Sequence, residues 1–360
     1  MAFPFLLLLC CFCCLTATAQ DGPQTSERLP LLTRVRLKID RMALKGIDTA
    51  YVELPRYPWR VALKSRVAQT DMIMKAKVDA DEVFGEGTEG KIEWKSKTRT
   101  PVTASAGVWV GYRGIGIGVQ QNIGRRKGTQ LALGLAGSRF HFYARYARHR
   151  MDEMDISVKG NADGMTLDTH IKDRLECPIK AHTLTAEAYY FFNGRRYSHN
   201  AAYKQAVVQK RSAGSLLAGL LAFRTDIDYA DPRNAKLVRM MDNIGRLEIT
   251  QLSLGVGYTY NWVPAKGWLL NALVIPMVTV VNTATQHHYL TDDGAWQKAG
   301  KHTAHHPVDY NIDGRLSLTR NWARCFVSAA AKLNHYYYKN GHTSGQTLDW
   351  YTNLSIGYRF

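Results

Sequence analysis

The chain has 360 residues, 46% of them hydrophobic, and a formal net charge of +17; this composition excludes a disordered chain and leaves room for two soluble domains or one large barrel. No run reaches the roughly 18 apolar residues that a membrane-spanning helix requires, so a helical membrane protein is excluded, whereas a barrel of alternating strands escapes any hydropathy window. The positive balance points to acidic partners, namely nucleic acid, anionic lipid or an anionic solute.

The N-terminus, MAFPFLLLLCCFCCLTATAQ, has an apolar core from Phe3 to Leu15 and then Ala17-Thr18-Ala19. It reads as a secretory signal, residues 1–19, cleaved near Ala19, although its n-region lacks Lys or Arg. An exported chain argues against nucleic acid as the partner. Cys10, Cys11, Cys13 and Cys14 leave with the signal, and the remaining Cys177 and Cys325 have no partners at ligand spacing, so no zinc site, disulfide framework or cofactor is expected. Residues 20–56 read as a periplasmic linker and short amphipathic helix, with Leu32, Val35, Ile39, Met42 and Ala43 at helical spacing. Arg28, Arg34, Arg36, Lys38, Arg41 and Lys45 stand there against Asp40, a face suited either to anionic head groups or to solvent.

From Trp59 the period becomes two. WRVALKSRV sets Trp59, Val61 and Leu63 opposite Arg60, Lys64 and Arg66, and RGIGIGVQQ sets Ile115, Ile117 and Val119 opposite glycines, each the pattern of a strand with one apolar face. Similar segments begin near Thr103, Gln130, Arg139, His182, Ser212, Thr250, Trp268, Asp309, Cys325 and Asp349, which makes twelve strands. Parity is ambiguous in 213–226 and 267–282, where both faces are apolar, and Pro276 in the second would remove a ladder donor. The connections alternate: 71–99, 150–179, 227–247 and 283–307 are long, while 113, 137–138, 263–267 and 321–322 are short. Segregation of loop length by parity, with an even strand count, predicts an all-β, antiparallel transmembrane barrel over 57–360 with both termini in the periplasm. Tyr112, Tyr190, Phe192, Tyr260, Trp262, Trp268, Trp322, Tyr358 and Phe360 would then form a periplasmic aromatic girdle, and Tyr310, Tyr336, Tyr337 and Trp350 an external one.

The closing WYTNLSIGYRF carries Thr352, Leu354, Ile356, Tyr358 and Phe360 on one parity. It resembles the assembly signal of bacterial outer-membrane proteins, which implies recognition by the barrel-assembly machinery, with outer-membrane lipid as the other partner. A wider resemblance rests on GIDTAYVELPRYPWRVAL, GVWVGYRGIGIGV, FFNGRRYSHNAAYKQAVVQKRSAGSLLAGLLAF and GYTYNWVPAKGWLLN. These are similar to segments of a Bacteroidetes family catalogued as domain of unknown function 4421, which implies an envelope barrel and no activity.

The third of those segments holds Arg195, Arg196, Lys204, Lys210 and Arg211 and no acid between Asn193 and Ser212. AAYKQAVVQK is expected to form a periplasmic helical insertion that caps the barrel mouth, touches anionic lipid or docks a partner. The external segment 150–179 carries four basic residues and seven acids, so positive charge is concentrated inward. On the polar parities, and so toward the lumen, lie Arg60, Lys64, Arg66, His141, Arg145, Glu187, Asp313, Arg315, Lys332 and Arg359. Such a lining either favours anions in an open bore or fills a closed one with ion pairs. Two function classes follow: a non-enzymatic pore or structural or docking barrel, and a lipid-acting outer-membrane enzyme with an external-rim site near His335, His342 and Ser344. The histidine-rich segment His287 to His306, with Asp292 and Asp293, matches no defined metal motif.

Overall fold

The computed structural model describes residues 30, 33, 34, 36, 37, 39, 40 and 45–360, apart from 80–88, 100–101, 124–127, 163–164, 235–237, 239–242, 293–294, 306–308 and 341–342. The signal segment 1–19 lies outside the described residues. The chain divides into two units, Met1–Lys45 and Gly46–Phe360. In the first unit the described residues between 33 and 40 are helical.

In the second unit, strands β2 (Trp59–Asp79), β4 (Thr103–Tyr112), β5 (Ile115–Ile123), β6 (Thr129–Ala136), β7 (Phe140–Ala162), β8 (Met165–Phe191), β10 (Ala213–Asp228), β11 (Ile244–Trp262), β12 (Trp268–Asp292), β14 (Asp309–Asn321), β15 (Cys325–Asn340) and β16 (Thr343–Arg359) form the wall. Each pairs antiparallel with its neighbours in this order, and β16 closes on β2 from Thr343↔Ala76 to Arg359↔Arg60. The result is a closed twelve-stranded barrel. At the seam the Trp59 amide donates to the Phe360 carbonyl (3.1 Å) and the Phe360 amide donates back to the Trp59 carbonyl (3.0 Å). The remaining pieces are β1 (Val52–Glu53) with β9 (Val208–Gln209), and two extra strands, β3 (Gly90–Arg99) and β13 (Ala295–His305).

The segments 71–99, 150–179 and 283–307, expected as loops, are largely extended. Strand β3 bridges the upper parts of β2 and β7 above the short β4–β6, β7 and β8 stay paired up to Ala162↔Met165, and β13 folds back on β12. Strand pairing continues there without one-sided hydrophobicity because those rungs stand beyond the apolar band and have no lipid to face.

The outer wall is apolar. Leu63, Leu216, Val256, Val274, Leu316, Leu354 and Ile356 are all more than half exposed, an arrangement that water would penalise at roughly 25 cal/mol per Å² and that a bilayer accommodates. Near the end that holds the short turns and the closing Phe360, Tyr190, Phe192, Tyr260, Trp262, Trp268, Trp322, Tyr358 and Phe360 point outward as a belt. Two aromatics depart from expectation. Tyr112 is covered by the ring of Trp59 (4.9 Å, edge-on), and Tyr336 turns inward and stacks on Phe223 (5.1 Å).

The two ambiguous stretches are apolar on both faces for a physical reason. Leu217, Leu221, Leu273, Ile275 and Met277 point inward and pack with Tyr189, Phe191, Tyr197 and Tyr336 in one interior cluster, while Leu216, Val274 and Val278 face outward. Pro276 keeps register with Ile312 on the β14 side. On the β11 side the ladder skips from Gly255↔Met277 to Tyr258↔Val274, where the missing donor is absorbed.

The inward glycines of β5 also have a purpose. A Cβ on Gly116 or Gly118 would come within 2.5 or 2.6 Å of the Trp109 ring, so these positions let an indole lie flat across the lumen wall. Trp109→Ala is expected to cost about 3–5 kcal/mol by emptying that space, read as an earlier loss of the folded, heat-modifiable band on gels. Gly118→Val should destabilise by roughly 1–3 kcal/mol through overpacking.

Candidate functional site

The chain between β8 and β10 enters the barrel. Its helix spans only His199–Tyr203, capped by the Ser198 hydroxyl, which accepts from the Ala201 amide at 3.3 Å. It stops at Gln205, whose φ of +52° is left-handed and ends helical continuation. The expected helix over AAYKQAVVQK is therefore a single turn followed by extended chain, because Val207 and Val208 favour β geometry and β9 finds a partner in β1.

This segment is a plug bonded to the wall on many sides. The Tyr197 and Thr259 hydroxyls are 2.8 Å apart, and the Tyr203 hydroxyl donates to Asn271 Oδ1 at 2.6 Å. Thr319 Oγ1 donates to the Ala202 carbonyl (3.3 Å), Gln205 Nε2 to Ser328 Oγ (3.1 Å) and Asn200 Nδ2 to the Gly137 carbonyl (3.0 Å). Arg359 Nη2 donates to the Gln205 carbonyl (3.0 Å) and to Asn321 Oδ1 (2.6 Å). Gln209 ties the plug to itself: its Oε1 accepts from the Ser198 amide and from Asn261 Nδ2, each at 3.0 Å, and its Nε2 donates to the carbonyls of Arg196 and Arg211. From below, Val52 of β1 is buried against Ala201, Ala202, Val207 and Leu269, so the end of the 20–56 linker is part of the cap.

Beyond the plug the predicted lumen charges divide into distinct groups. Glu187, Asp313, Arg315 and Lys332 meet in a network whose side chains are at most 5% exposed. Arg315 Nη2 donates to Glu187 Oε2 (2.5 Å) and Asp313 Oδ2 (2.9 Å), and Lys332 Nζ donates to Glu187 Oε2 (2.5 Å). The Tyr189 hydroxyl donates to Asp313 Oδ2 at 2.5 Å and accepts from Arg315. Two acids and two bases balance here, which is what a low-dielectric site demands.

Along β2 the balance is absent. Arg60 donates to the Arg113 carbonyl, Lys64 Nζ stands 4.4 Å over Trp109, and Arg66 donates to Gln130 Oε1 (3.1 Å) and stacks on Tyr351 (3.6 Å). Arg145 reaches the same tyrosine (5.5 Å) and pairs with Asp349 at 3.5 Å. Lys204 of the plug adds a second ammonium, 4.5 Å over Trp109 and 4.1 Å over Tyr143, and the rings of His141 and His199 lie 4.4 Å apart. A cavity of about 60 Å³ opens between the two groups, lined by Lys64, His141, Glu187, His199, Lys204, Arg315 and Lys332 among others.

Sequence reasoning missed His199, Lys204 and Gln205 as interior residues, since a segment without strand period assigns no face. Tyr351 and Asp349 share the parity of Arg359, a signal that could have placed them inside. On the terminal strand, Thr352, Leu354, Ile356, Tyr358 and Phe360 all face outward. At the end of the barrel opposite Phe360, His335 Nε2 lies 3.4 Å from Gln346 Oε1, Ser344 sits across from Lys339, and His342 lies outside the described residues. His287 meets Glu248 (3.1 Å) and His305 meets Thr283 (3.3 Å); among the described residues no three His, Cys, Asp or Glu side chains gather in a metal-binding group. Cys177 donates to Asp231 Oδ2 at 3.0 Å, and the Arg233 guanidinium, aided by that thiol, holds the Asp231 carboxyl well below the usual range.

Residues 46–360 match the family model described as Domain of unknown function (DUF4421). Among solved structures, the chain is similar to the outer membrane protease OmpT from Escherichia coli, at TM-score 0.45 and 9% identity, covering 85% of this chain and 97% of that one. It is also similar to the translocator domain of the autotransporter NalP from Neisseria meningitidis (TM-score 0.31, 12%, 91% and 96%) and to OprG from Pseudomonas aeruginosa (0.25, 11%, 85% and 98%). No curated protein matches.

Glu187→Ala should leave Arg315 and Lys332 buried without their shared acceptor and destabilise the barrel by about 3–5 kcal/mol, measured as a lower urea midpoint for the folded band. Replacing Glu187, Asp313, Arg315 and Lys332 together by apolar residues of similar size should cost less than this single change.

Proposed function

Because the chain belongs to the DUF4421 family, whose name assigns no activity, its role has to come from its geometry, and we propose that it is a non-enzymatic outer-membrane barrel held shut by its own plug. It would serve the bacterial envelope as a structural or docking element and not as a standing pore. The observation that carries this reading is the plug's bonding to β11, β12, β14, β15 and β16, with Lys204 reaching across to Trp109 and Tyr143 on β4 and β7. A segment tied on so many sides would obstruct an aqueous path through the bore. The outer surface of the cap supports docking: Arg195, Arg196, Lys210 and Arg211 are exposed there, which suits an anionic periplasmic partner.

In planar bilayers the folded protein is expected to show no sustained current. A variant with residues 196–210 replaced by a short Gly/Ser linker should conduct, with anions favoured by Arg60, Lys64 and Arg66. Steady conductance from the intact protein would count against the closed-barrel reading. The outward row ending at Phe360 supports recognition by the assembly machinery, so deletion of Phe360 should lower the yield of folded barrel in cells while refolding in detergent is little changed. Equal yields in cells would argue against that role.

A further inference from the structure

The β2 side of the lumen has a chemistry of its own. Lys64 and Lys204 make their close contacts with ring faces, and no carboxylate of the described residues lies within ion-pair distance of either, or of Arg60 or Arg66. Both ring nitrogens of His199, Nδ1 of His141, and Nε and Nη2 of both Arg60 and Arg66 lack hydrogen-bond partners. His141 and His199 are 2% and 3% exposed, and buried donors of this kind are normally satisfied. Glu187 lines the same cavity, but its Oε2 already accepts from Arg315 and Lys332.

We propose that the cavity beneath the plug is a binding site for one tetrahedral oxyanion of the phosphate or sulfate class, held by Lys64 of the wall, by Lys204 and His199 of the plug, and by His141. Donors converge from two wall strands and from the plug, so several acceptor oxygens suit the site better than a single spherical halide does. Among the charged groups of the lining Lys64, Lys204, Arg315 and Lys332 outnumber Glu187, which disfavours a metal ion. The volume of about 60 Å³ holds several waters at roughly 10–15 Å³ each, the scale of one such anion, and it excludes the sugar or lipid to which a phosphate might be esterified. A second cavity of about 30 Å³ shares Lys64 and Tyr143 and adds Arg66 and Arg145, extending the cationic lining away from the plug. The inference goes beyond the closed-barrel reading and does not depend on it, since binding is measured without current.

The test uses the full mature chain folded in detergent, with heat-modifiable mobility as the check on folding, and equilibrium dialysis with labelled inorganic phosphate at constant ionic strength. One saturable equivalent is expected, displaced by sulfate and not by chloride or glucose 6-phosphate. Lys64→Met and Lys204→Met should each weaken binding about tenfold or more, whereas Arg324→Met, on an exposed periplasmic turn, should leave it unchanged. Because both ammoniums lie over the Trp109 ring, phosphate should also alter its emission, isolated as the difference between the wild type and Trp109→Phe. Absence of saturable binding to folded wild type would overturn the proposal. So would equal binding of glucose 6-phosphate, or wild-type affinity in both lysine variants; Lys64→Met keeps the test decisive if Lys204→Met loosens the plug.

Discussion

A sheet placed in hydrocarbon has no water to satisfy an open edge, so every amide and carbonyl of its first and last strands must find the other. Here that requirement falls on the pairing of β16 with β2, completed by the mutual bonds of Trp59 and Phe360. Once the ring is closed with twelve strands, its bore is wider than the eight-stranded size that wall side chains alone fill, and the segment between β8 and β10 occupies it. The outer parity is committed to lipid, and the inner parity must then resolve whatever polar groups it carries without bulk solvent.

The interior meets that demand in two ways. Where Glu187, Asp313, Arg315 and Lys332 converge, acids and bases neutralise one another and Tyr189 occupies the remaining lone pairs. Where Arg60, Lys64, Arg66 and Lys204 gather, aromatic faces and single carbonyl or amide acceptors take the place of carboxylates. A cation over an aromatic ring gains about 0.5–2 kcal/mol, well short of what burying an unpaired charge costs. The asymmetry of the lumen is therefore the feature that most needs a chemical explanation.

The wall was legible in the sequence because lipid imposes a strict alternation on every rung it touches, and WRVALKSRV or TQLSLGVGYTYNW show it directly. Legibility fails wherever that pressure lapses. Above the band, β3, β13 and the upper β7–β8 ribbon carry no one-sided pattern. In β10 and β12 the inner face is apolar too, since Leu217, Leu273 and Ile275 cover Tyr197 of the plug. The charged members of the site were visible by parity alone, as with Glu187 and Arg315. Their grouping was not, because register across the ring, and not spacing along the chain, decides which of them meet. Lys204 was assigned to the periplasm, since nothing in AAYKQAVVQK tells an exposed turn from a buried one.

Arg359, the penultimate residue, is 2% exposed and grips the Gln205 carbonyl from the last strand. The plug precedes that strand in the chain by more than a hundred residues, so this bond, unlike those from β11, β12, β14 and β15, waits for β16 to join the wall. A wall that still lacks β16 therefore carries its plug without this latch. The end of β16 thus joins two roles, sealing of the wall through Phe360 and locking of the interior through Arg359.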